Sequence, residues 1–174
     1  MMISLVGLPG SGKSTVGRLL ARRLQLDFVD TDALFEQQEG CSIREFFERE
    51  GEAAFRDREQ ALIDDLTQHH QGVLATGGGA VLRQVNRNHL RERSHVLYLR
   101  SHPEDLFRRL RHDRQRPLLQ VEDPQAKLQA LFEERDPLYR ETAHFVVETG
   151  RPAVGMLLGM VLTQLELAGI VPRS

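Results

Sequence analysis

The chain has little of what would tie it to an oxidising compartment, a membrane or a structural metal. It has one cysteine, Cys41, among 174 residues, which excludes an internal disulfide and with it the framework of a small secreted module. Cys41 lies in a Gly40-Cys41-Ser42 turn and reads as small filler rather than as a nucleophile. The longest apolar run, Ala153 to Leu162, is ten residues, about half of the roughly 20 that a spanning helix needs. The N-terminal segment has no basic flank and its apolar run breaks at Pro9, so no signal peptide is expected and the expected compartment is the cytoplasm. The seven histidines, at 69, 70, 89, 95, 102, 112 and 144, show no ligand spacing with acids or cysteine, so no zinc site is expected. A net charge of −2 and a pI near 6.4 supply no generally basic surface, which argues against nucleic acid or an acidic membrane as partner. The scarcity of lysine says most. Of 23 basic residues only Lys13 and Lys127 are lysine. A chain that writes arginine almost everywhere else has a chemical reason for lysine at position 13.

What is present reads as one α/β domain spanning residues 1–174. This length buries roughly 70% of its unfolded surface, so no covalent staple is needed. Short apolar runs at 3–6, 27–30, 73–76, 95–99 and 145–147 predict strands. Between them Lys13 to Leu24 has helical spacing, with Val16, Leu19, Leu20 and Leu24 on one stripe. Ser42 with Glu45 forms a capping box that opens a helix interrupted by Gly51 and resumed over 52–68. Pro103 suits a first helical position, and Pro152 onward predicts a last helix ending before Gly169. Residues 112–123 are charged and aperiodic and read as a loop. Alternating strands and helices predict a five-stranded parallel sheet covered on both faces, a three-layer sandwich.

The glycine-rich turn after the first strand, Gly7-Leu8-Pro9-Gly10-Ser11-Gly12-Lys13-Ser14, fits the P-loop pattern GxxxxGK[ST]. Its glycines let successive backbone N–H groups face phosphate oxygens, and the next helix adds its positive N-terminus. Lys13 would meet the β- and γ-phosphates as a compact charge, and the Ser14 hydroxyl would ligate Mg²⁺. Asp30-Thr31-Asp32 closes the second strand, at the edge where open α/β sheets bind ligands. A period of two would put both carboxylates on one side; a helix cap by Asp32 plus a turn acid is the alternative. Gly77-Gly78-Gly79 follows a buried strand, and such a costly run implies close backbone approach to something, with a tight packing turn as the alternative. Arg56 has Glu59 three residues on to aim it, while Arg116 and Arg135 sit in Arg-Pro-Leu-Leu and Arg-Asp-Pro-Leu-Tyr. Guanidinium suits a bidentate carboxylate or developing phosphoryl charge, though a single arginine among 21 is more often a surface ion-pair partner.

In this order the motifs resemble those of shikimate kinases, from about residue 3 to 165. The resemblance implies a nucleoside-monophosphate-kinase-like fold with a mobile lid at about 112–123 and a substrate-binding helical region at about 33–61. It implies Mg²⁺-dependent transfer of the ATP γ-phosphoryl group to the 3-hydroxyl of shikimate, in aromatic amino-acid (chorismate) biosynthesis, by a cytoplasmic monomer. By position, Asp32 matches the aspartate that holds substrate hydroxyls, Arg56 and Arg135 the carboxylate clamp, and Gly78 and Gly79 the backbone contacts to substrate. Gly10, Ser11, Gly12, Lys13, Ser14 and Thr15 match the phosphate loop. Arg109, Arg151 and Pro152 match the adenine surroundings, and Asp30 matches a water-mediated Mg²⁺ contact beside Ser14. Arg116 matches the lid arginine, so the catalytic set is Lys13, Asp32 and Arg116. Leu8-Pro9 departs from the more usual Met-containing loop, and the lid is rich in Arg and His.

The residues also support a mechanism. With Mg²⁺ and arginines near, the Asp32 pKa is expected to fall, making it an aligner of the 3-hydroxyl before it is a base. Charge is segregated: residues 27–65 carry 4 Arg against 13 acids, and residues 83–116 carry 10 Arg against 4 acids. The basic stretch reaches into the lid and suits shielding of ATP phosphates. Two rivals keep the P-loop. Another metabolite kinase would lack the paired Arg56/Arg135 clamp beside the triple glycine, and a nucleotide-dependent regulator would lack a transition-state arginine.

Overall fold

The computed structural model describes residues 1–110, 122–150 and 153–173. Arg116, Arg151, Pro152 and the lid up to residue 121 lie outside the described residues. Five parallel strands form one sheet in the order β2-β3-β1-β4-β5: β1 (Met2–Val6), β2 (Phe28–Asp30), β3 (Gly72–Ala75), β4 (His95–Arg100) and β5 (Phe145–Glu148). β1 is central, with Leu5 opposite Ala75 on one side and Leu97 on the other. A parallel strand covered on both faces needs apolar residues in both directions, and all five β1 residues are buried.

Strand alternation sorts the core into two layers. Val6, Leu74, Val96 and Tyr98 pack with Ile63, Leu90 and Leu128 on one face. Ile3, Leu5, Val73, Leu97 and Leu99 pack with Val16, Leu20, Val161 and Leu165 on the other. Helix α1 (Lys13–Leu24) and the last helix, α8 (Val154–Leu167), cover the second face. Helices α4 (Glu52–His69), α5 (Gln84–Arg93), α6 (Pro103–Leu110) and α7 (Pro124–Thr142) cover the first. This is the expected three-layer α/β sandwich. α5 and α7 were not anticipated: α5 buries only Asn86 and Leu90, and α7 contains Pro137. Among the described residues no helix is long and apolar enough to cross a membrane.

A third, smaller core supports one side of the cleft. α2 (Thr31–Glu39), α3 (Ile43–Glu50) and α4 meet through Phe35, Phe46 and Phe55. The Phe35 ring stands edge-on to Phe46 at 5.0 Å and to Phe55 at 4.9 Å, an arrangement the ring quadrupoles favour. Ser42 caps α3, its Oγ accepting from Glu45 N at 3.1 Å. Gly51, at φ +88°, ends α3 and starts α4, a conformation that a side chain would strain.

Candidate active site

The carboxyl ends of the strands carry two adjoining cavities. The larger, about 400 Å³, is lined by the loop residues Pro9, Gly10, Gly12, Lys13, Ser14 and Thr15, with Asp30, Asp32, Gly77, Gly78 and Arg109. The smaller, about 180 Å³, is lined by Asp32, Phe47, Phe55, Arg56, Glu59, Gly77 to Gly79 and Arg135. Pro9, Asp32, Gly77 and Gly78 belong to both. The cleft therefore has two arms that meet at one carboxylate.

On the first arm, β1 runs into a loop whose Gly10 and Gly12 take φ of +83° and +98°. Its Lys13 is buried, and Nζ donates to the carbonyls of Gly7 at 2.7 Å and Leu8 at 2.9 Å. Ser11 is fully buried with no partner for its Oγ among the described residues. The hydroxyl of Ser14, one residue into α1, donates to Asp30 Oδ2. Arg109 bridges this arm to the end of β5, donating to Gly10 O at 3.4 Å and to Thr149 Oγ1 at 3.2 Å.

The two aspartates have different settings from those expected. β2 ends at Asp30, so Asp32 stands in the first turn of α2 and the period of two does not apply. Asp30, not Asp32, is the helix cap: its Oδ1 accepts from Asp32 N at 3.0 Å and Ala33 N at 3.1 Å. The Asp32 carboxyl is pushed up to about 6, by burial above all and then by Glu59 and Asp30; Lys13 and Arg56 oppose the shift. In the chain by itself the carboxyl thus moves up, whereas the expected fall rested on bound Mg²⁺ as well as on the arginines. Desolvation and two neighbouring carboxylates outweigh the cations of the chain itself.

On the second arm two glycines of the triplet each make room for one polar side chain, and the third chiefly clears the phosphate loop. A Cβ on Gly77 would lie 2.5 Å from Asp32 Oδ1 and one on Gly79 2.5 Å from Arg56 Nη1, while one on Gly78 would lie 2.8 Å from the Pro9 ring and 3.3 Å from Arg135 Nη1. The close approach observed is to the chain's own side chains, which makes the run a tight packing turn. Arg56 Nη1 donates to Glu59 Oε1 at 2.9 Å, as the spacing suggested. Arg56 Nε, Arg135 Nε and Glu59 Oε2 are buried and lack hydrogen-bond partners among the described residues. Burial pushes the Glu59 carboxyl up, and Arg56 pulls it back. Phe55 and Phe47 form an apolar wall, while Phe46 stays in the small core.

Tyr139 and Thr31 were missed as supports. The Tyr139 hydroxyl donates to Gly78 O at 2.6 Å and Thr31 Oγ1 accepts from Gly77 N at 3.0 Å, so both hold the triplet. The tyrosine closes the Arg-Asp-Pro-Leu-Tyr segment, where a turn spacing of four on a helix would have paired it with Arg135.

A phosphate loop, a hydroxyl and carboxylate at its mouth, and an adjoining pocket with two guanidiniums define a P-loop kinase of a small, acidic acceptor. The family model for shikimate kinase matches residues 9–166. A shikimate kinase of Burkholderia pseudomallei (strain K96243) is 59% identical over 171 residues, 98% of this chain and 93% of that protein. One of Ralstonia nicotianae is 59% identical over 169 residues, 97% and 89% of the two chains. The solved shikimate kinase from Acinetobacter baumannii in complex with shikimate superposes with a TM-score of 0.89 at 46% identity, covering 97% and 93%. A gluconokinase from Sinorhizobium meliloti, at 16% identity and a TM-score of 0.56, shares the fold. This chain belongs to the shikimate kinase family, whose members are ATP-dependent kinases that phosphorylate shikimate.

Proposed function

We propose that the two arms of the cleft divide the family's reaction between them: ATP occupies the loop arm and shikimate the arm behind Asp32. The reaction is transfer of the γ-phosphoryl group to the 3-hydroxyl, giving shikimate 3-phosphate and ADP. The observation that carries this reading is the position of Asp32 in the walls of both cavities, where a phosphoryl donor and an accepting hydroxyl would meet.

On the nucleotide arm, the loop amides of Gly10 to Thr15 cradle the phosphates and Lys13 exchanges its two loop carbonyls for phosphate oxygens. Arg109 adjoins the base. Ser14 and Asp30 offer a hydroxyl and a carboxylate side by side, and no group of three or more His, Cys, Asp or Glu that could hold a metal occurs among the described residues. Such a sparse, all-oxygen donor set fits Mg²⁺, which keeps waters and takes phosphate ligands. When bound there, held by Ser14 directly and Asp30 through water, it would neutralise phosphate charge.

On the acceptor arm, Arg56 and Arg135 line the smaller cavity and their guanidiniums clamp the shikimate carboxylate. Asp32 and the backbone of Gly78 and Gly79 take the hydroxyls. In the chain without ligands the Asp32 carboxyl is pushed up to about 6, which makes it a stronger acceptor than an ordinary aspartate. It can align the 3-hydroxyl and also take its proton as the bond to phosphorus forms. The transition state is loose, so positioning and charge do most of the work. Arg116 completes the site as a finger supplied by the chain itself, and the helical region 33–61 is the acceptor-binding part.

The test is ADP release by the purified chain with Mg-ATP, offering shikimate, quinate, gluconate or nucleoside monophosphates in turn. Turnover with shikimate alone is expected, and its loss in Asp32→Asn. Turnover with a different acceptor would overturn the acceptor-arm assignment.

A further inference from the structure

We infer that Asp136 is a positioning residue for the acceptor arm, acting through Arg135 and Tyr139; this rests on reading Arg135 as a carboxylate clamp. α7 is weakened where it carries that clamp. Pro137 has no N–H to give to the Glu133 carbonyl, and its ring crowds the preceding turn. Arg135 lies two residues away, and its buried Nε has no partner among the described residues. Its guanidinium hydrogen-bonds the Tyr139 side chain, so its aim depends on the stretch of α7 that carries both residues.

At this weak point Asp136 hydrogen-bonds α7 to the sheet. Asp136 Oδ1 accepts from Tyr98 Oη at 2.6 Å and from Arg100 Nε at 2.9 Å, both on β4. Its Oδ2 accepts from Arg140 Nε at 3.0 Å. Arg100 is itself held by Glu148 of β5 at 3.0 Å. A second connection runs through the rings: buried Tyr98 lies 4.9 Å from Tyr139, whose hydroxyl holds the Gly78 carbonyl. Asp136 thus ties two strands both to the helical turn bearing Arg135 and to the glycine triplet. It lines neither arm of the cleft, so its influence on substrate must pass through those neighbours. The phosphate loop itself lies between β1 and α1, which make none of these hydrogen bonds.

Removing Asp136 would strand two donors, Tyr98 Oη and Arg100 Nε, and free the Pro137 turn. The test is steady-state kinetics on the full chain for Asp136→Ala, Asp136→Asn, Tyr98→Phe, Arg140→Gln and Arg135→Gln, at a temperature well below each variant's melting point. For Asp136→Ala the shikimate KM is expected to rise about tenfold while the ATP KM stays within about twofold, the loss of buried charged hydrogen bonds setting the scale. Asp136→Asn, which keeps an oxygen for Tyr98, should restore most of that loss. Tyr98→Phe should fall between the two, and Arg140→Gln, on the exposed side, should match the parent. Equal rises in both KM values, or an unchanged shikimate KM in both Asp136→Asn and Tyr98→Phe, would overturn the inference even if Asp136→Ala fails to fold. Arg135→Gln separates the two readings: if it leaves the shikimate KM alone the clamp itself is wrong, and if it alone raises KM only the role of Asp136 is wrong.

Discussion

Asp32 concentrates the conflict between stability and activity at the scale of a single residue. Its carboxyl is raised from 3.8 to about 6, by burial first and by Glu59 and Asp30 next. A raised acid means that the folded state holds its proton more tightly than the unfolded state. The associated stability is fully present below about 3.8 and is lost as pH rises to about 6. Asp32→Asn has no such loss, so it should melt later than the parent at pH 7, by about 1–3 kcal/mol. The gap should close as pH falls towards 4, and thermal melts between pH 4 and 8 check this. The same variant should lose about 10²–10⁴ in kcat. Gly79→Ala tests the acceptor arm differently, because its Cβ would enter the Arg56 guanidinium. We expect the shikimate KM to rise at least about tenfold with the ATP KM little changed; equal effects on both would argue against the division of the cleft. Arg56, Arg135 and the glycine triplet were legible as separate signals. That Gly77 clears Asp32, Gly78 the Pro9 ring and Gly79 Arg56 was not, because it depends on distant segments meeting.

At the scale of elements, the acceptor arm is only as firm as the three helices behind it. α2, α3 and α4 share a core of Phe35, Phe46 and Phe55 away from the main sheet, so little else compensates for a cavity there. Phe46→Ala should cost about 3–5 kcal/mol and raise the shikimate KM more than the ATP KM, read by chemical melts and by kinetics. A uniform loss of both affinities would show instead that the two arms are coupled through the sheet. These elements also show what a sequence hides. The capping box at Ser42 and the break at Gly51 were readable because caps and breakers act locally. α7 places Leu128, Leu131, Tyr139 and Thr142 inward, a helical repeat, but Pro137 at its centre reads as a stop. The tertiary anchors at Asp136 and Tyr139 keep that helix in place. α5 lacks an apolar stripe and is held by contacts such as Arg93 with Asp64 at 2.7 Å and Asn86 with the Ala80 carbonyl at 3.0 Å.

Across the whole molecule, binding either substrate should stabilise the fold by mass action, since the site is assembled from β1, α1, α2, α4, the triplet after β3, and α7. At 100 times its dissociation constant a ligand that binds only the native state adds about 2.7 kcal/mol, a shift of roughly 5–10 °C for a chain of this size. Shikimate should give that shift in differential scanning fluorimetry and gluconate none; a shift with gluconate would contradict the clamp. The sequence by itself determined the parallel α/β sandwich and the glycine-rich phosphate loop, because periodicity and glycine spacing are local properties. Only the tertiary structure decided that Asp30 caps α2, that burial and two neighbouring carboxylates push Asp32 up in the chain itself, and that Tyr139 holds Gly78. Each of these depends on burial and on which charges and dipoles become neighbours, and a linear chain acquires those neighbours only when the sheet and its helices close around them.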